Sequence, residues 1–142
     1  MFKKTIEFKD YDGTDKTKDC WFHLKKTEIL EIAMDLPEDL TEDIVDEQGN
    51  AIEEDIGHKI YEALGKKGVM KFIKDLILKS YGVRSRDGKT FEKSDEITYK
   101  FSQTLAFEKL YFDMITKDDV FVEFVNAVIP TTFDENVPVT QE

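Results

Sequence analysis

Phe2-Lys3-Lys4-Thr5-Ile6-Glu7-Phe8-Lys9, followed by Asp10-Tyr11-Asp12-Gly13, opens the chain with a period of two. Phe2, Ile6 and Phe8 fall on even positions with Lys4, while Lys3, Thr5, Glu7 and Lys9 take the odd ones. That alternation predicts a strand with one face buried. Asp12-Gly13 suits a turn that needs positive φ. Beyond it, Cys20, Phe22 and Leu24 alternate with Asp19, Trp21 and His23, as a returning strand would. Residues 2–24 therefore read as a β-hairpin with a loop somewhat longer than the minimum. An isolated hairpin is marginal, so this one must pack on later parts of the chain.

The residues after the hairpin carry helical spacing. Ile29, Ile32, Ala33 and Leu36 mark one face of a short helix starting near Thr27 and stopping before Pro37. Thr41 can cap a second short acidic segment, ended by Gly49-Asn50. Ile52, Ile56, Ile60, Ala63 and Leu64 form an i, i+4 stripe over 51–64, and Gly65-Lys66-Lys67-Gly68 is a break. Val69, Phe72, Ile73, Leu76 and Ile77 define the next helix, with Gly82 at its expected C-terminal stop. Residues 83–93 read as a polar loop containing the turn Asp87-Gly88. Ser94 is a good N-cap for a long segment through Ile97, Phe101, Leu105, Phe112 and Ile115, interrupted near Ser102. Thr116 with Asp119 resembles a capping box ahead of a last helix, which Pro130 stops. The expected fold class is α+β: an N-terminal hairpin and a mainly helical body of about five helices. Residues 1–130 are read as a single domain, with 131–142 as an extended or flexible tail.

Charge is unevenly spread. The chain has 142 residues and a formal net charge of -11, yet 27–58 alone hold twelve carboxylates and no Lys or Arg. Interleaved Ile, Leu and Val make this an acidic surface on an ordered element rather than a disordered acidic tail. Such a surface repels nucleic acid and anionic membrane and favours basic or apolar protein partners. A single cysteine, Cys20, excludes an internal disulfide and favours a reducing compartment. The N-terminus lacks the apolar core of a signal peptide, and the apolar runs are too short to span a bilayer. Composition thus points to a soluble intracellular protein.

Motifs for catalysis are missing. Asp10, Asp12, Thr14 and Asp15 resemble the start of a calcium loop, but Asp15 stands where that loop needs glycine. His23 and His58 fit no metal-ligand spacing, and Cys20 falls on the core face of its strand, as an inert thiol would. There is no nucleophile elbow, phosphate loop or dinucleotide fingerprint. No enzyme, metal or cofactor is expected. Lys66, Lys67, Lys71, Lys74, Lys79, Arg84, Arg86 and Lys89 supply a basic counterpart that balances the acidic stretch.

Several blocks, taken in order, carry a resemblance. They are 1–13, Phe22-His23-Leu24-Lys25-Lys26-Thr27-Glu28-Ile29, the stretch 72–82, the stretch 85–94, Phe101-Ser102-Gln103-Thr104-Leu105-Ala106, and Phe124-Val125-Asn126-Ala127-Val128-Ile129-Pro130. Together they resemble tail assembly chaperones of long-tailed phages or prophages of Gram-positive bacteria. The resemblance implies a non-enzymatic protein of the host cytoplasm that binds the tape measure protein and helps recruit tail tube protein. It implies absence from the finished virion, a possible frameshifted longer form and a homo-oligomer. On that reading, Phe72, Leu76, Phe101, Leu105, Phe112, Phe121 and Phe124 are candidates for an apolar partner groove. Glu42, Asp43, Asp46 and Glu47 are candidates for steering basic partner segments. The alternative from charge alone is an acidic DNA mimic that inhibits a host DNA-binding protein.

Overall fold

A computed structural model describes residues 1–36 and 56–129. The alternating N-terminus forms strands β1 (Phe2–Lys9) and β2 (Asp15–Phe22), paired antiparallel from Phe2↔Phe22 to Lys9↔Asp15. Asp10 N–H donates to Thr14 O (3.1 Å) and Gly13 N–H to Asp10 O (2.9 Å), with Gly13 at φ 81°. This is a three-residue loop whose last residue needs the left-handed region that glycine enters freely.

Helix α1 (Lys26–Met34) comes next, then α2 (Ile56–Ser80), β3 (Tyr81–Arg84), β4 (Phe91–Glu92), α3 (Asp95–Ser102), α4 (Leu105–Thr116) and α5 (Asp118–Val128). The fold is α+β, with an N-terminal hairpin and five helices among the described residues. The glycine break expected after Leu64 is a kink inside α2, at Gly65 (φ 70°, ψ 174°). Ser94 caps α3, its Oγ accepting from Ile97 N–H at 3.1 Å, and Gln103-Thr104 separates α3 from α4.

Four local expectations need correction. The span 83–93 is not only a loop: β3 and β4 form a second hairpin around Asp87-Gly88, extending the sheet to the order β1-β2-β3-β4. Gly82 does not end a helix but lies within β3, because Phe91 crosses it. A Cβ there would stand 2.6 Å from the Phe91 ring and 2.7 Å from Glu92 O. Helix α1 starts at Lys26 with Lys25 as N-cap, where Glu28 accepts from Lys25 N–H at 2.8 Å. Finally, Lys117 and not Thr116 precedes α5, since the Thr116 hydroxyl donates back to Phe112 O at 2.8 Å. The acidic segment around Thr41 and the residues from Pro130 onward lie outside the described residues.

The core lies between one face of the sheet and the helices. Phe22 is at its centre, with the rings of Phe124 (4.9 Å), Tyr81 (5.8 Å), Phe2 and Phe101 (both 6.3 Å) around it. Tyr81 stacks on Phe101 at 3.7 Å. Edge-to-face and offset aromatic pairs add about 0.5–1.5 kcal/mol each beyond the area they bury. Ser80, buried at the end of α2, is satisfied by donating to Leu76 O at 2.7 Å.

Candidate partner-binding surface

The apolar residues expected to form a groove divide sharply. Phe72, Leu76, Phe101, Phe121 and Phe124 are buried in the core cluster. Leu105 is half-buried, and Phe112 is 57% exposed. The spacing that placed them on helix faces is right, but a stripe facing the core and a stripe facing a partner share one periodicity. Glu42, Asp43, Asp46 and Glu47 lie outside the described residues.

Leu105 and Phe112 stand two turns apart on α4, opposite the tip of the first hairpin. Between them and the strands runs an open groove of about 640 Å³, floored by Phe8, Leu105 and Phe112 and edged by Glu7, Lys9, Lys16, Glu108 and Lys109. The Lys9 ammonium meets Asp15 at 2.8 Å, Lys16 meets Asp10 at 3.4 Å, and Lys109 meets Asp113 at 3.1 Å. Cations around the groove are matched within the chain, so what it offers is apolar area. Phe8 was legible only as a core-facing strand residue. Its position near the turn, beyond the last β2–β3 pair, is what leaves it half-open.

A second cluster lies around α1. Lys93 Nζ, only 16% exposed, donates to the Glu28 carboxylate, to His23 O (3.0 Å) and to Lys79 O (3.0 Å). It therefore joins the end of β2, the first turn of α1 and the last turn of α2. Burial pushes the Glu28 carboxyl up. The hydrogen bonds from Lys93 and from Lys25 N–H, with both ammonium charges, outweigh this and hold it below its ordinary value of 4.5. This cluster is a structural junction; nothing in the sequence spacing announces it.

The single thiol, Cys20, is buried, and that burial raises it to about 11. Among the described residues no group of three or more His, Cys, Asp or Glu side chains could hold a metal ion. No helix among them is long and apolar enough to cross a membrane.

A profile of the phage tail assembly chaperone family matches residues 1–141. The chain belongs to that family. Membership makes this tail assembly chaperone a protein of the infected host cell, acting through protein partners while tails are built. The match runs past Pro130, through the stretch read from sequence as a tail. Neither a curated protein nor a solved structure matches the chain significantly.

Proposed function

We propose that this chaperone binds and solubilises the tape measure protein through the Phe8–Leu105–Phe112 groove, and helps bring tail tube subunits to it. The observation that supports this reading is the groove itself: an apolar floor on a surface whose neighbouring lysines are already paired. A side chain of about 200 Å² that is 57% open gains about 3 kcal/mol when a partner covers it, at about 25 cal/mol per Å². Covering Phe8 and Leu105 adds to that, and a long partner with repeated apolar segments accommodates several copies. A homo-oligomer along the partner, absence from the finished virion, a frameshifted longer form and an origin in phages of Gram-positive hosts belong to the same proposal. Glu42, Asp43, Asp46 and Glu47 steer basic partner segments toward the loaded groove.

Co-expression with the tape measure protein, followed by affinity capture and sizing, tests the reading. A soluble complex holding several copies of the chaperone is expected, lost in Phe112→Asp. An insoluble partner beside a free chaperone would reject it.

A further inference from the structure

The groove beside the first hairpin carries a charge pattern that its apolar floor does not explain. Each lysine that lines it is held by a carboxylate of this chain: Lys9 by Asp15 (2.8 Å), Lys16 by Asp10 (3.4 Å) and Lys109 by Asp113 (3.1 Å). Two lining carboxylates are left over, Glu7 and Glu108, both exposed. Among the described residues neither has an ion-pair partner.

Their positions account for this. On β1 the residues two places either side of Glu7 are Thr5 and Lys9, and its cross-strand neighbour on β2 is Thr17. The one cation among these, Lys9, is already on Asp15. On α4, Glu108 stands three residues after Leu105 and four before Phe112, on the helix face that borders the groove. Its neighbours at helical spacing are Thr104, Leu105, Tyr111 and Phe112, none of them basic. Lys109 beside it is engaged one turn on, at Asp113. Residues 37–55 and 130–142 contain no Lys, Arg or His, so they cannot supply a cation to either carboxylate.

A carboxylate in water needs no partner, but these two border apolar surface. An occupant that covers Leu105 and Phe112 also takes water from Glu108 between them. A cation on the occupant offsets that cost, and a carboxylate on it adds repulsion. The floor therefore gives affinity, while the rim gives a choice of sign.

We infer that the groove selects apolar peptide segments flanked by Lys or Arg, and that Glu7 and Glu108 set this preference. The inference rests on the groove being the partner site. It assigns the preference to the groove's own rim rather than to the acidic residues 42–47. Ion pairs at such an exposed rim are individually weak, so the two carboxylates together should change affinity about fivefold.

Fluorescence anisotropy with two synthetic peptides tests this. Both carry the same Leu and Phe residues; lysines flank these in one and glutamates in the other. The unsubstituted chain should bind the lysine peptide more tightly, and Glu7→Gln/Glu108→Gln should reduce that preference about fivefold. Both glutamates are exposed, so this variant should keep its melting temperature. Glu62→Gln/Asp119→Asn removes the same charge at exposed positions outside the groove lining, and should leave the preference unchanged. Phe112→Ala should weaken both peptides. Equal binding of the two peptides by the unsubstituted chain would overturn the inference. So would a preference that survives Glu7→Gln/Glu108→Gln, or one that Glu62→Gln/Asp119→Asn reduces as much. In each of these cases, weaker binding by Phe112→Ala would still keep the groove as the partner site. Undiminished binding of both peptides by Phe112→Ala would remove the groove itself, and the inference with it.

Discussion

Replacing Lys93 with Met keeps the aliphatic stem and removes the ammonium that joins three elements. The lost interactions are one charge-assisted bond to Glu28 and two bonds to the carbonyls of His23 and Lys79, each 3.0 Å long. Bonds involving a charged group contribute roughly 1.5–3 kcal/mol each when water is excluded. Water is only partly excluded here: the Glu28 side chain is 22% exposed, and both partners border an open groove. The three bonds together should then contribute about 2–3 kcal/mol, a large share of the roughly 5–15 kcal/mol that holds such a domain folded. Urea unfolding at pH 7 should show this as a lower midpoint with unchanged slope.

The pH dependence gives a second handle on the same junction. Glu28 has a folded pKa below its ordinary 4.5, so its contribution is complete above that value and is lost as pH falls through the folded pKa. The gap between the unsubstituted chain and Lys93→Met should therefore narrow below about pH 4.5. Glu28→Gln combined with Lys93→Met should cost less than the sum of the two single changes. A loss under about 0.5 kcal/mol at pH 7, the range of an ordinary surface substitution, would refute the junction.

Gly82→Ala should destabilise the fold by about 1–3 kcal/mol in thermal melts, because its Cβ meets the Phe91 ring and Glu92 O at 2.6 and 2.7 Å. Cys20, 1% exposed and raised to about 11, should react with a thiol reagent at pH 8 at least about a hundredfold more slowly than in urea. Phe112→Asp should leave the melting temperature nearly unchanged while abolishing capture of the tape measure protein. Phe72→Asp, at a buried position, should instead unfold the chain, seen as loss of far-UV circular dichroism.

The parts of the fold that arise from local chemistry were legible. The first hairpin reads from alternation and Asp12-Gly13, and α3 from the Ser94 cap, because both signals act within a few residues. The second hairpin was not legible, since β3 and β4 are held by contacts outside their own sequence. β3 pairs with β2 from a distant part of the chain, and β4 is two residues long, too short to show a period. Gly82 was misread for the same reason: a glycine after a helical run looks like a cap until Phe91 is seen crossing it. The candidate groove was half legible. Periodicity found the apolar faces of α2 to α5 but could not tell inward from outward, and of the candidate residues Leu105 and Phe112 border the groove beside the first hairpin. The Lys93 junction escaped entirely, because its three partners are backbone carbonyls and one carboxylate brought together by tertiary packing.

The placement of the groove reflects unequal support along the first hairpin. Strand β2 pairs with β3 only at Trp21 and Phe22, so among the described residues the remainder of the hairpin has no third strand beside β2. Near its base, Phe2 and Phe22 pack into the aromatic core against Phe124. Toward the turn, Phe8 borders the groove with α4, and the pairs Lys9–Asp15 and Lys16–Asp10 are exposed to solvent to a degree that makes each nearly neutral in energy. Local opening should therefore cost less at the turn than at the base, and amide exchange should graduate along β2 from slow at Phe22 to fast at Lys16. A surface that takes apolar segments of differing sequence gains from such a gradient: the base holds the strand register while the tip adjusts to its occupant. Equal protection at both ends of β2 would instead mark the groove as rigid, selecting partners by shape.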